Sequence, residues 1–267
     1  MKIGRLASSI LCLAASFIAS SASAGSFTID DSTDGLNTYW GGIVKFEGID
    51  YASTSDIWGA ASKYGVDSLT FSATSNNITI VLTGSFFGFT ISPENTANIL
   101  PGDVFLGNNG WSPTGTDAHH NTDIAVDDDW QYAITMDSNT GSSGTISLFS
   151  VDPAGSILYP EDYLSSLPSY EYRSQQEYQY VKATDQPVLG TGTWEISGNT
   201  LTYSLDIYNE TTLADLLHND GQVAIHWAQT CGNDVVEGIG TVPEPATMIL
   251  FGSGLMGLVG LSRRKKK

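Results

Sequence analysis

Apolar and polar residues alternate with a period of two over several short stretches, the pattern of strands that bury one face. In residues 77–83, Ile78, Ile80 and Leu82 alternate with mostly polar neighbours. Trp130, Tyr132, Ile134 and Met136 form a second face. The turn-rich stretch 138–144 then leads into residues 145–151, which predicts a hairpin. The third pattern is the clearest. Trp194 and Ile196 alternate with Glu195 and Ser197, the chain turns at Gly198-Asn199, and Leu201, Tyr203, Leu205 and Ile207 return on one face. Residues 223–227 read as a final strand, with Cys231 to Asp234 as its exit turn.

Helical periodicity is confined to residues 212–219, with Leu213, Leu216 and Leu217, and to residues 57–64. Residues 159–180, rich in Tyr, Glu and Gln, read as a long crossover loop. Clusters of Gly, Asn, Asp, Ser and Thr separate the strands, and no repeat of fixed period points to a propeller or solenoid. The expectation is a mainly β fold, an antiparallel β-sandwich or jelly-roll-like ectodomain over residues 25–241.

Both ends of the 267-residue chain depart from this pattern. Residues 1–24 carry Lys2 and Arg5, an apolar run over 6–18, and a small-residue ending Ala22-Ser23-Ala24. That is the layout of a signal peptide cleaved between Ala24 and Gly25 by the general secretion machinery, a retained anchor being the alternative. At the other end stand Pro243, Glu244 and Pro245, then 16 apolar or small residues over 246–261, then Arg263, Arg264, Lys265, Lys266 and Lys267. The two prolines favour an extended, accessible peptide. The apolar stretch, which predicts a membrane helix over 246–262, is just short of a comfortable span and holds Gly252, Gly254, Gly257 and Gly260. The basic cluster keeps its end cytoplasmic.

Charge sharpens the division. Outside the signal and the tail the basic residues are Lys45, Lys63, Arg173 and Lys182, and these four stand against all 29 acidic residues, a net charge of −25 over residues 25–245. Such a surface repels phosphate backbones and argues against nucleic acid; its plainest use is solubility outside the cell. Cys12 leaves with the signal, so Cys231 is the one mature cysteine and no internal disulfide is available. It is read as buried and inert, with an intermolecular bond as the alternative.

The three-part tail over residues 242–267 resembles the PEP-CTERM sorting signal of Gram-negative bacteria. The resemblance implies recognition by exosortase, a multi-pass membrane enzyme, with Pro243, Glu244 and Pro245 as substrate residues and an inner-membrane-anchored precursor whose ectodomain lies on the periplasmic side. An ordinary single-span anchor is the alternative. The stretch His226-Trp227-Ala228-Gln229-Thr230-Cys231-Gly232-Asn233-Asp234 is similar to an ending found before the tail in many such proteins. Gly102 to Leu106, Gly110-Trp111 and residues 130–133 look like further landmarks of that group.

Candidate chemistry is sparse. Asp127, Asp128 and Asp129 form the densest acidic run, and oxygen-rich loops suit Ca²⁺, so these are the candidate cation ligands against a reading as solvated turn. The stretch from Asp30 to Gly35 lacks an EF-hand's closing Glu, since its twelfth position is Gly41. Asp117, His119, His120 and Asp123 have no zinc spacing. Glu161, Glu177 and Glu195 are the candidates for a glycosidase carboxylate pair, and Trp40, Trp58 and Trp111 for sugar stacking, with core packing favoured for each tryptophan. No nucleophile elbow or Cys-His context occurs. The expectation is a non-enzymatic surface or matrix protein without a required cofactor, associated with exopolysaccharide or biofilm. A carbohydrate-binding module and a secreted glycan-active enzyme are the alternatives.

Overall fold

A computed structural model describes residues 25–31, 44–46, 49–51, 61–74, 76–96, 98–109, 130–164, 176–217 and 221–242. The first strands are β1 (Gly25–Asp30), β2 (Val44–Phe46), β3 (Ile49–Tyr51), β4 (Ser68–Ala73), β5 (Asn77–Thr83) and β6 (Pro101–Gly107). They are followed by β7 (Tyr132–Met136), β8 (Ser143–Ser150), β9 (Ser156–Leu158) and β10 (Gln179–Val181). The last are β11 (Gly190–Ser197), β12 (Thr200–Ile207), β13 (Gln222–Gln229) and β14 (Val235–Thr241). Short helices α1 (Ala61–Tyr64), α2 (Ser85–Thr90), α3 (Pro160–Tyr163) and α4 (Glu210–Leu216) lie between them.

The fold is mainly β and antiparallel, and ten strands make one sheet in the order β1-β4-β5-β12-β11-β8-β7-β6-β13-β14. The expected hairpins are present. β7 and β8 join through residues 137–142, and β11 and β12 join at Gly198-Asn199, where Gly198 adopts φ 60°, a left-handed conformation that costs glycine little. Ile78, Ile80 and Leu82 of β5 and Leu201, Tyr203 and Leu205 of β12 are all fully buried, as their alternation requires.

The sheet curls almost into a barrel. Its outer strands β1 and β14 lie against one another, because Gly240 and Gly238 carry no side chain where Phe27 and Ile29 of β1 come in: a Cβ on Gly240 would stand 2.0 Å from the Phe27 ring, and one on Gly238 3.0 Å from Ile29. Across the interior, the Tyr203 hydroxyl on β12 donates to the Gly102 carbonyl on β6 at 2.9 Å. Trp227 Nε1 on β13 donates to that carbonyl at 3.2 Å and lies 3.1 Å from the Tyr203 oxygen. Helix α2 caps this core, setting Phe86 and Phe87 with ring centres 6.0 and 5.6 Å from Trp227. Each such side chain removed from water contributes about 1.5–3 kcal/mol.

Strands β6 and β7 are buried at every position, because both sheet faces are covered there. One face looks into the barrel; the other packs Phe105, Ala133, Phe149 and Ala224 under Trp130 and Tyr180. The ribbon of β9 and β10 supplies that cover as a lid, and among the described residues of the expected crossover over 159–180 lie helix α3 and the start of strand β10. The strand holding residues 223–227 is also not the last: β14 follows it in register, Gln222 opposite Thr241 and Ala228 opposite Val235. Its sequence, Val-Val-Glu-Gly-Ile-Gly-Thr, carries little strand pattern because two glycines stand where alternating side chains would be. Among the described residues no helix is long and apolar enough to cross a membrane, and the membrane helix expected over 246–262 lies outside them.

Candidate functional site

The β13–β14 hairpin gathers polar residues of the sequence landmarks at the end of the described residues. His226 and Glu237 are direct partners across the two strands, so register alone brings Nδ1 to 2.8 Å from Oε2. The other ring nitrogen lies 2.8 Å from the Glu177 carbonyl in the approach to β10 and donates to it. Burial by itself lowers the His226 pKa, but the Glu237 hydrogen bond and charge and the nearby Glu177 outweigh it, and the imidazole is held above its ordinary value. Both groups are buried, with Trp130 tilted against the ring and Phe105 edge-on to it at 5.6 and 5.9 Å between ring centres.

The turn that follows is tied across the β1–β14 seam to the end of α1 and the segment between α1 and β4. Asp234 Oδ2 accepts the Val66 backbone N–H at 2.6 Å, and the Gln229 side chain donates to the Tyr64 carbonyl. Gly232 turns the chain with φ 61°. Cys231 Sγ donates to Gln229 Oε1 at 3.3 Å; burial pushes its thiol up to about 12, so it is protonated at neutral pH. On β6, Asp103 accepts the backbone N–H groups of Met136 and Tyr180, each at 2.9 Å, and so ties β7 and β10 to one carboxylate. Its burial raises the pKa to about 7, opposed by those two hydrogen bonds. Gly102 beside it is needed for close approach, since a Cβ there would meet the Ala228 and Tyr178 carbonyls at 2.3 and 2.5 Å.

Every landmark residue in this neighbourhood thus acts on the fold. His226, Trp227, Cys231, Asp234, Gly102 and Asp103 hold strands, turn and lid together. The sequence pattern points to the cluster and, for a different role, to Glu177, but not to Glu237 or the closing glycines Gly238 and Gly240.

The other candidates separate. Pro243, Glu244, Pro245, the basic residues 263–267, Ala24 and Asp127 to Asp129 lie outside the described residues, as do Asp117, His119, His120, Asp123, Trp40, Trp58 and Trp111. Gly25 opens β1, opposite Ala73. Asp31 is buried, and its backbone N–H donates to Asp67. Glu177 is buried beside β13, whereas Glu195 is exposed on β11, four strands away in the sheet order. The structure does not pair them. Among the described residues no group of three or more His, Cys, Asp or Glu is arranged to hold a metal ion. An open groove of about 380 Å³ lies between α1, α2 and the β11–β12 turn, where Ser85, Phe89, Glu94 and Asn199 line it and Lys63 Nζ sits 5.5 Å above the Phe89 ring.

The exit itself is tight. Val242 is 1% exposed and its N–H donates to the Gly221 carbonyl at 2.7 Å, so the fold holds the chain up to the residue before Pro243. Residues 241–265 match the family model of the PEP-CTERM protein-sorting motif. The match begins on the last residue of β14 and ends within the basic cluster. No curated protein and no solved structure matches the chain. A motif of this kind implies recognition by exosortase, a membrane processing enzyme, and hence export and membrane-anchored sorting.

Proposed function

We propose that this carrier of the PEP-CTERM sorting motif is a non-enzymatic surface or extracellular-matrix protein, displayed or released after processing and associated with exopolysaccharide. The observation that carries the reading is the direct succession of a nearly closed barrel and the sorting motif, with no intervening segment between Val242 and Pro243. The uneven charge supports it: a body of net −25 remains soluble and extended from neighbouring copies, while the cationic residues concentrate in the segments that meet the membrane. The start of β1 at Gly25 suits cleavage after Ala24. The polar residues of the landmarks serve strand-to-strand bonds, which supports a structural role for them. A carbohydrate-binding reading rests on the groove at Phe89, whose hydroxyl, amide and carboxylate neighbours are sugar-binding types.

The test is intact-mass and fractionation analysis of the native protein in strains with and without the processing enzyme. A shortened form at the surface or in the matrix is expected only when the enzyme is present. Changing Pro243, Glu244 and Pro245 to alanine leaves export intact and makes an uncleaved form accumulate in the inner membrane. Normal processing of that triple variant would show that the tail is merely an anchor.

A further inference from the structure

Two facts about the barrel seam place both ends of the folded domain together. Phe27 meets Gly240 and Ile29 meets Gly238, so β1 and β14 run antiparallel with a constant offset, and continuing it by one step sets Gly25 level with Val242. The segment before Gly25 and the sorting tail after Val242 therefore leave from one pole. At that pole the chain is held up to Val242: Thr241 is paired with Gln222, and Val242 is buried and bonded to Gly221. A Cβ on Gly221, which has φ 73°, would stand 2.0 Å from the Val242 carbonyl oxygen, so the two backbones are in contact there.

The three residues Pro243, Glu244 and Pro245 are all the chain between this anchored point and the apolar stretch that begins at Ala246. Fully extended they reach about 10 Å. A processing enzyme that cleaves a peptide bond and passes the acyl group to water or to an acceptor amine must hold several residues on the amino side in extended, accessible form. Thr241 and Val242 are the residues immediately on the amino side of the motif, and Val242 is completely covered.

We propose that the fold gates its own sorting: the carboxyl-terminal end of β14 must detach from β13 and Gly221 before the membrane enzyme can process the motif. The proposal rests on the sorting function proposed above. β14 is suited to such release. It is an outer strand with a ladder on one side only, and its last residues Gly238-Ile239-Gly240-Thr241 bring two glycines that add no side-chain packing of their own. Detachment at this end gives up the contact of Gly240 with Phe27 at the seam but leaves His226 and Glu237, deeper in the hairpin, still paired, so the rest of the sheet stays folded while the motif is engaged.

The experiment locks the end of the strand in the full-length exported chain. Gln222 and Thr241 are cross-strand partners and both exposed, a separation that suits a disulfide, so Gln222→Cys with Thr241→Cys forms one in the oxidising compartment outside the inner membrane. Processing of this variant is expected to be at least tenfold slower than that of either single-cysteine control, and reduction restores the rate. A second variant adds Gly-Ser-Gly-Ser between Val242 and Pro243 to the locked chain, and processing there returns to the normal rate, which separates gating from misfolding. Normal processing of the locked chain overturns the proposal, and so does a locked chain that the insertion fails to rescue. Failure of the sorting reading has a different signature, normal processing when Pro243, Glu244 and Pro245 are alanine.

Discussion

His226 and Asp103 are two buried titratable groups whose pKa values are displaced in the same direction. Each is raised above its unfolded value, so the folded protein binds more protons than the unfolded one, and the stability involved is present below the unfolded pKa and lost as pH rises through the folded pKa. For Asp103 that window runs from about 4 to about 7, and for His226 it opens near 6.5 and extends upward. The melting temperature of the domain is therefore expected to fall steadily between pH 4 and pH 8. A thermal scan series across that range checks it, and a flat or rising profile contradicts it. Glu237→Gln removes the partner charge of a buried pair and is expected to destabilise by about 3 kcal/mol or more at pH 6, with a shallower decline at higher pH.

At the level of the elements, closure depends on small residues in β14. Phe27 stacks on Phe71 at 5.4 Å and fills the space that Gly240 leaves, so seam and core share one aromatic pair. Gly240→Ala drives a methyl group into the Phe27 ring and is expected to cost about 1–3 kcal/mol, measured by urea unfolding. The same change in a Phe27→Ala background meets no ring and costs much less. Equal costs in both backgrounds would mean that β1 and β14 do not close on each other in solution. The lid of β9 and β10 behaves differently, because Asp103 and the Glu177 carbonyl fix its approach through hydrogen bonds while Tyr180 packs it down.

As a whole molecule, the fragment of residues 25–242 contains every described strand and both covered faces of β6 and β7. It is expected to fold alone as a soluble, β-rich protein, and a helix-dominated far-UV spectrum would defeat that boundary. Calcium is expected to raise its melting temperature by less than about 4 °C, equivalent to roughly 1 kcal/mol for a domain of this length. A larger shift that disappears on changing Asp127, Asp128 and Asp129 would identify those residues as a cation site.

Local pattern determined the strand faces and two of the hairpins, because side chains alternate with period two and a two-residue turn at Gly198-Asn199 leaves one register open. The sorting tail was equally legible, since its three parts are contiguous and their residue types and order carry the motif without any long-range neighbour. Tertiary structure alone decided the rest. Whether ten strands form two sheets or one nearly closed sheet depends on long-range neighbours such as β5 with β12 and β6 with β13, which no window of sequence contains. β14 escaped notice because its interior role is to have no side chain at Gly238 and Gly240, and absence of a side chain carries no hydrophobic signal. The partners of His226 were hidden by distance along the chain: Glu237 and the Glu177 carbonyl are separated from it by 11 and 49 residues, and only the hairpin and the lid bring them together.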